Sequence, residues 1–329
     1  MTFTSKGYEL AKRLEIEYHA EIHRVSKLTE LMPKVFKQGN ILVFIGAMGI
    51  AVRGISPYLQ NKTTDPAVIV IDEKAKFIIP VLSGHIGRSN EFAVQIANAI
   101  NAIPVITTST DVNNVFAVDT FAVKNGYAIV ESERIKNISS YLLENKEVGL
   151  CTEFEIIGDL PTNIKLDSNS DVGIQISLNA KENPFHRTLH LLPKCFHVGI
   201  GARKNTDADK LEEFFLSILK ENDIPIECIG TISSITLKKE EYAICKLCEK
   251  YGIPYITYTV DELLPYEHLF AISEFVKKIT GIGNVCETSA YISSKNGEIV
   301  HSKTSQCGMT IAIAKENWRV IFENTNVWN

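Results

Sequence analysis

Apolar residues along this chain come in two rhythms. Ile41–Ile45 (ILVFI) is continuously apolar, as in a strand covered on both faces. Ala67–Ile71 and residues 77–79 and 104–107 read as further short strands. Between the last two, Phe92, Ala93, Ile96, Ala97 and Ile100 recur at helical spacing and predict a helix over residues 89–101. Strand, helix, strand in that order implies a right-handed crossover and a parallel pair. Leu10 and Leu14 mark a short helix over residues 5–15.

Residues 124–194 are less regular. They hold a helix-like segment (132–145), β-like runs (148–152 and 173–178) and the polar stretch LPTNIKLDSNSD. A fresh alternation starts at Phe196. Strand FHVGIG leads through ARKNT to a helix over 207–222, with Thr206 as its expected N-cap and Leu211, Phe214, Phe215 and Ile218 on its apolar face. Strand CIGTISSI, a helix over 240–251 and a strand over 254–258 follow, then a helix over 284–293 and strand-like runs at 298–301, 309–314 and 319–322. The pattern predicts an α/β fold: two α/β domains with largely parallel or mixed sheets, at 1–123 and 195–329, joined by a smaller irregular middle region at 124–194.

Composition narrows the classes. The 329 residues carry a net charge of 34 − 39 = −5, which argues against nucleic acid as the main partner and leaves room for a local cationic pocket. The longest apolar run, 41–52, is shorter than the roughly 20 residues that span a bilayer. The first fifteen residues have no signal-peptide core. Seven cysteines, several of them inside apolar patterns, fit reduced thiols. The expectation is a cytoplasmic protein with no membrane segment. Cys245 and Cys248 have metal-like spacing without a second pair, and share one face of the expected 240–251 helix, so they read as core. His186, His190, His197 and His301 form no metal signature.

Polar residues cluster where the strands end. Gly46 and Gly49 follow the first strand. They either bring backbone N–H groups to a carboxylate or phosphate, or make a tight turn. Gly199, Gly201, Arg203 and Lys204 form a second such loop, with two cations ahead of a helix; it is an anion site or a solvated basic loop. Neither loop fits the dinucleotide or P-loop pattern. The densest cluster is Ser83-Gly84-His85 followed by Gly87-Arg88-Ser89-Asn90-Glu91. Glycines around an imidazole suit a constrained turn that presents a general acid or base, with Glu91 to orient it. The plain alternative is a helix cap beside a structural histidine. Asp65, after Lys62-Thr63-Thr64, reads as a turn residue, and Thr107–Asp111 as a hydroxyl-rich strand end or a helix cap.

Several of these motifs, in this order, resemble the CbiG family of anaerobic cobalamin biosynthesis, the cobalt-precorrin-5A hydrolases. The likeness rests on VFIGAMGIAVRGISP, KTTDPAV, LSGHIGRSNE and PVITTSTDV, then on GIGARKNT, CETSA around Glu287, and Lys303 ahead of GMTIAIA. It covers nearly the whole chain. The family usually has Gly-Gly-Ala-Asn where Gly87-Arg88-Ser89-Asn90 stands, and often Cys at the position of Ala202 and Gly at that of Asn205.

The resemblance implies hydrolysis of a δ-lactone on a contracted tetrapyrrole, with loss of acetaldehyde. Such a substrate carries its own cobalt, so no metal or cofactor is expected on the protein. His85 is the expected base, Glu91 its orienting partner and Asp65 an alternative base. Ser83, Asn90 or nearby backbone N–H groups would hold the oxyanion. Arg53, Lys62, Arg203, Lys204 and Lys303 would meet the substrate's carboxylates. Gly46, Gly49, Gly84, Thr108, Asp111 and Glu287 complete the expected substrate-binding set. Beyond the cobalt-tetrapyrrole substrate, the partners expected are transient contacts with neighbouring pathway methyltransferases and a second copy in a homodimer. A corrinoid carrier would keep the cationic loops without needing His85 or Glu91.

Overall fold

A computed structural model describes residues 1–61, 64–166 and 169–322. The chain divides into two compact units: Met1–Val123 with Ser132–Lys146, and Lys124–Glu131 with the described residues of Glu147–Asn329.

In the first unit the described strands form one sheet in the order Ile41–Ile45, Ala67–Ile71, Phe77–Leu82, Ile103–Pro104. The outer pairs are parallel. The crossover expected around the helix Ser89–Ile100 is therefore present. The central pair is antiparallel. Five residues, 72–76, join its strands, too few for a parallel crossover. Asp72 closes this turn by accepting from the N–H groups of Lys74, Lys76 and Phe77. The sheet therefore points half its strands each way. The end of Phe77–Leu82 lies beside the start of Ala67–Ile71, where Leu82 pairs with Val68, while the loop after Ile45 lies at the other end.

Residues 124–194 are more ordered than their sequence suggests. Tyr127–Ile129, Arg187–Pro193, Val172–Ile176, Val148–Thr152 and Ile164–Leu166 make a five-stranded sheet, the last strand inside the polar stretch. Gly149 and Gly173 pair across two of these strands, and the Phe185 ring fills the space where side chains would stand. Packing long in sequence thus replaces the local apolar pattern.

The C-terminal sheet runs Tyr255–Tyr258, Ile229–Ile235, Phe196–Ala202, Met309–Lys315, Glu298–Gln306. The first three strands are parallel, and Met309–Lys315 runs against them. One core face buries Leu211, Phe214, Phe215 and Ile218 of the helix Ala208–Glu221, together with Ala243, Ile244, Leu247 and Cys248. Cys248 is a core residue, and Cys245 donates its thiol to the Lys239 carbonyl. Asp207 caps the helix Ala208–Glu221 in place of Thr206, because its carboxylate accepts from the N–H groups of Asp209 and Lys210. The Thr206 hydroxyl donates instead to the Arg203 carbonyl.

Candidate active site

The chain leaves Phe77–Leu82 through a tight loop before the helix Ser89–Ile100. Ser83 has φ 56° and Arg88 has φ 62°, both in the left-handed region that favours glycine. The Ser83 and Gly84 carbonyls accept from the N–H groups of Ser89 and Asn90, so the loop folds over the start of the helix. A Cβ on Gly84 would meet the Asn90 amide at 2.9 Å. These constraints set His85 against the segment 108–119.

There the imidazole sits between two carboxylates. Nδ1 lies 3.0 Å from Asp119 Oδ1 and Nε2 lies 3.2 Å from Asp111 Oδ2. Asn90 Nδ2 donates to the same Asp111 oxygen at 2.6 Å and to the Thr108 hydroxyl at 2.9 Å. The His85 side chain is only 11% exposed. Burial alone would lower its pKa. Hydrogen bonds to Asp111 and Asp119 outweigh that and raise it to about 9. At neutral pH His85 is therefore an imidazolium that donates from both nitrogens. Asp111 keeps its second oxygen, Oδ1, outside any hydrogen bond among the described residues.

The other expected residues divide sharply. His85, Asn90, Thr108 and Asp111 come together, with Ser83 and Gly84 shaping the loop. Glu91 does not reach His85: it pairs with Arg88 at 2.6 and 2.7 Å and accepts from Gln95. One helical turn after Arg88, it points along the outer face. Asp65 accepts from the Gln60 N–H with both oxygens at 3.1 Å, and its carbonyl accepts from the Ser83 hydroxyl. It braces the turn. Lys62 lies outside the described residues.

Gly46 and Gly49 stand at the opposite sheet end from His85, because the central strand pair is antiparallel. Gly46 donates its N–H to Ile71, and the Arg53 guanidinium folds back onto the Gly49 carbonyl. Arg203, Lys204, Glu287 and Lys303 belong to the second unit. Glu287 is turned inward there, accepting from the Asn284 amide and the Lys303 backbone N–H. Gly199 and Gly201 serve packing: a Cβ on either would strike Cys286 or Thr310. Sequence reasoning missed Asp119. Its signal was a lone carboxylate in the apolar run Phe116–Val123, where a buried charge needs a partner.

Two measurements follow from this geometry. Glu91→Gln should keep turnover within about twofold of the parent, since its ion pair with Arg88 is exposed; a loss of tenfold or more would restore the orienting role. The second concerns pH. A folded pKa of about 9 against the ordinary 6.5 means that His85 stabilises the fold fully below pH 6.5 and loses that contribution as pH rises through 9. Unfolding by denaturant at pH 6 and pH 10 should differ accordingly, and His85→Gln should flatten the difference.

The fold and this cluster define an α/β protein with a buried histidine held between two carboxylates at the end of a mixed sheet. Family profiles match in succession: cobalamin synthesis G N-terminal at 30–111, the cobalamin biosynthesis central region at 116–193 and the cobalamin synthesis G C-terminus at 196–314. The cobalt-precorrin-5A hydrolase of Salmonella typhimurium is 31% identical over 94% of this chain and 95% of its own. That of Priestia megaterium is 28% identical over 95% and 94%. The crystal structure of a cobalamin biosynthesis protein G homolog from Sulfolobus solfataricus is 22% identical and covers 95% of each chain, with a TM-score of 0.41. The chain belongs to the CbiG family of cobalamin biosynthesis proteins.

Proposed function

We propose that this chain is a cobalt-precorrin-5A hydrolase, which opens the δ-lactone of the contracted tetrapyrrole and releases acetaldehyde. Its relatives with that activity in their names span nearly the whole chain. The observation that carries the chemistry is the His85 imidazolium held between Asp111 and Asp119.

In this reading Asp111 Oδ1 takes a proton from the water that attacks the lactone carbonyl. Protonation of Asp111 weakens its hold on His85 Nε2–H, which then passes a proton to the departing alkoxide. His85, now neutral, is the base that removes the proton from the new hydroxyl. The carbon–carbon bond breaks, acetaldehyde leaves, and the electron pair enters the macrocycle, which takes the proton from Asp111. Acid and base exchange roles between the two steps. Asp119 positions the ring through Nδ1.

The cobalt arrives with the substrate, and the mechanism asks for no further cofactor. Among the described residues no helix is long and apolar enough to cross a membrane. Cytoplasmic work, a homodimer, and transient contact with methyltransferases that handle the same intermediate are part of this proposal. So is a three-part order at 1–123, 124–194 and 195–329.

The test is anaerobic incubation with cobalt-precorrin-5A, trapping acetaldehyde and weighing the tetrapyrrole by mass spectrometry. Acetaldehyde with the matching mass loss supports the reading. Tight binding with no turnover makes the chain a corrinoid carrier. The rate should fall along an alkaline limb near pH 9, where His85 loses its proton; a rate that instead rises through that pH overturns the acid role.

A further inference from the structure

The His85 ring meets three side-chain oxygens among the described residues, all of them in the first unit. Asp119 Oδ1 stands at Nδ1. Asp111 Oδ2 and Thr110 Oγ1 both stand at Nε2, at 3.2 and 3.4 Å. A carboxylate only accepts, so Nε2 carries the hydrogen and offers it to Asp111. Thr110 can then only accept from the same N–H, as the longer branch of a shared bond.

The Thr110 O–H is left over. Among the described residues its hydrogen has no acceptor, although Thr110 is only 5% exposed. A buried donor without an acceptor is costly, and each one calls for a cause such as a catalytic role. The residue is held in place from behind, because the Val115 N–H donates to its carbonyl at 2.8 Å. The segment itself lies at the surface: Ser109 is exposed and Asp111 is partly exposed.

We propose that the Thr110 hydroxyl is the proton relay between His85 and the departing oxygen of the lactone, and so a catalytic residue. The reaction it serves rests on the hydrolase reading above. Once Asp111 has taken the proton from water it holds Nε2–H less strongly, and Thr110 Oγ1 is the other acceptor within reach. The Nε2–H bond breaks and its proton passes to Oγ1, while the Thr110 O–H bond breaks and delivers its proton to the alkoxide. The imidazolium becomes a neutral imidazole, the alkoxide becomes an alcohol, and Thr110 is a neutral hydroxyl before and after. In the carbon–carbon cleavage the path runs in reverse, from the new hydroxyl through Oγ1 to Nε2. A direct transfer would need the alkoxide to reach Nε2 itself, whose hydrogen already faces two oxygens on a side chain only 11% exposed.

The test compares Thr110→Val, which keeps the shape and removes the hydroxyl, with Thr110→Ser, which keeps the hydroxyl. Kinetics on cobalt-precorrin-5A, their pH profile and thermal unfolding are measured. Valine should lower kcat by about a hundredfold, with KM within about threefold. Serine should hold kcat within about fivefold of the parent. The alkaline limb near pH 9 should stay in place in both, because the carboxylates set the His85 pKa. Should the valine variant unfold early, Thr110→Ala takes its place: it differs from Thr110→Ser only in the hydroxyl and should be slower by about a hundredfold. Valine with more than a tenth of the parent kcat overturns the relay and leaves the hydrolase reading standing. Serine as slow as valine does the same, since packing of the methyl group is then the cause. A limb that moves in the valine variant makes Thr110 a positioning residue for His85 and also overturns the relay. A parent protein that forms no acetaldehyde overturns the hydrolase reading and the relay together.

Discussion

Asp111→Asn should lower kcat by about a hundredfold or more, the range lost with a general base. Asparagine keeps the size of aspartate and can still meet the Asn90 and Thr108 side of the cluster. It cannot take a proton from water, and it leaves His85 Nε2 facing an amide in place of a carboxylate. The loss should fall on kcat with KM little changed, because Asp111 acts on water and not on the substrate's rim. His85→Gln should be at least as damaging, since it removes both the donor of the first step and the base of the second. Asp119→Asn should cost less in kcat and move the alkaline limb below pH 9, because one of the two carboxylates that raise the His85 pKa is gone. Asp111→Asn with more than a tenth of the parent turnover would move the base elsewhere in the cluster.

Gly199→Ala should strongly destabilise the second unit. The new Cβ would lie 1.8 Å from the Cys286 carbonyl oxygen and 2.9 Å from the Ser289 hydroxyl. Both belong to the helix Cys286–Ser293, whose backbone cannot yield like the tip of a flexible side chain. The helix would have to lift off the central strand of the sheet. Overpacking of a core costs about 1–3 kcal/mol, occasionally more, and a clash with backbone belongs at the upper end. A cost of about 3 kcal/mol corresponds to a fall of roughly 10 °C in Tm for a unit of this size. Gly252→Ala is the control. Nothing lies within 4 Å of its Cβ, and the strain comes only from φ 62°, so about 1 kcal/mol is expected. Equal effects of the two substitutions would show that helix Cys286–Ser293 does not pack this tightly on the strand.

The same glycine shows how a motif can be legible and its reason hidden. Gly199 and Gly201 read as a loop that approaches an anion, yet they lie in a strand and make room for a helix that begins at Cys286. Arg88 and Asn205, where the resemblance leads one to expect glycine, both have left-handed backbone, with φ 62° and 61°. The positions of special backbone were thus visible as departures, although the loops themselves were not. The antiparallel turn at 72–76 was also within reach: five residues cannot carry a chain back for a parallel pair. Recognising it would have separated Gly46 and Gly49 from His85 at once.

By itself the sequence determined the α/β class, the parallel pair around the helix Ser89–Ile100, the apolar faces of the C-terminal helices and the family. Each follows from periodicity or from motif order, which are local along the chain. Only the tertiary structure decided which groups meet His85. Asp111 and Asp119 lie 26 and 34 residues away, and no pattern links positions so far apart. It also decided the charge of His85, because a pKa depends on which oxygens surround the ring once water is excluded. Glu91, the near neighbour in sequence, lost that place to Arg88 because residues three apart on a helix share a face and so pair with each other.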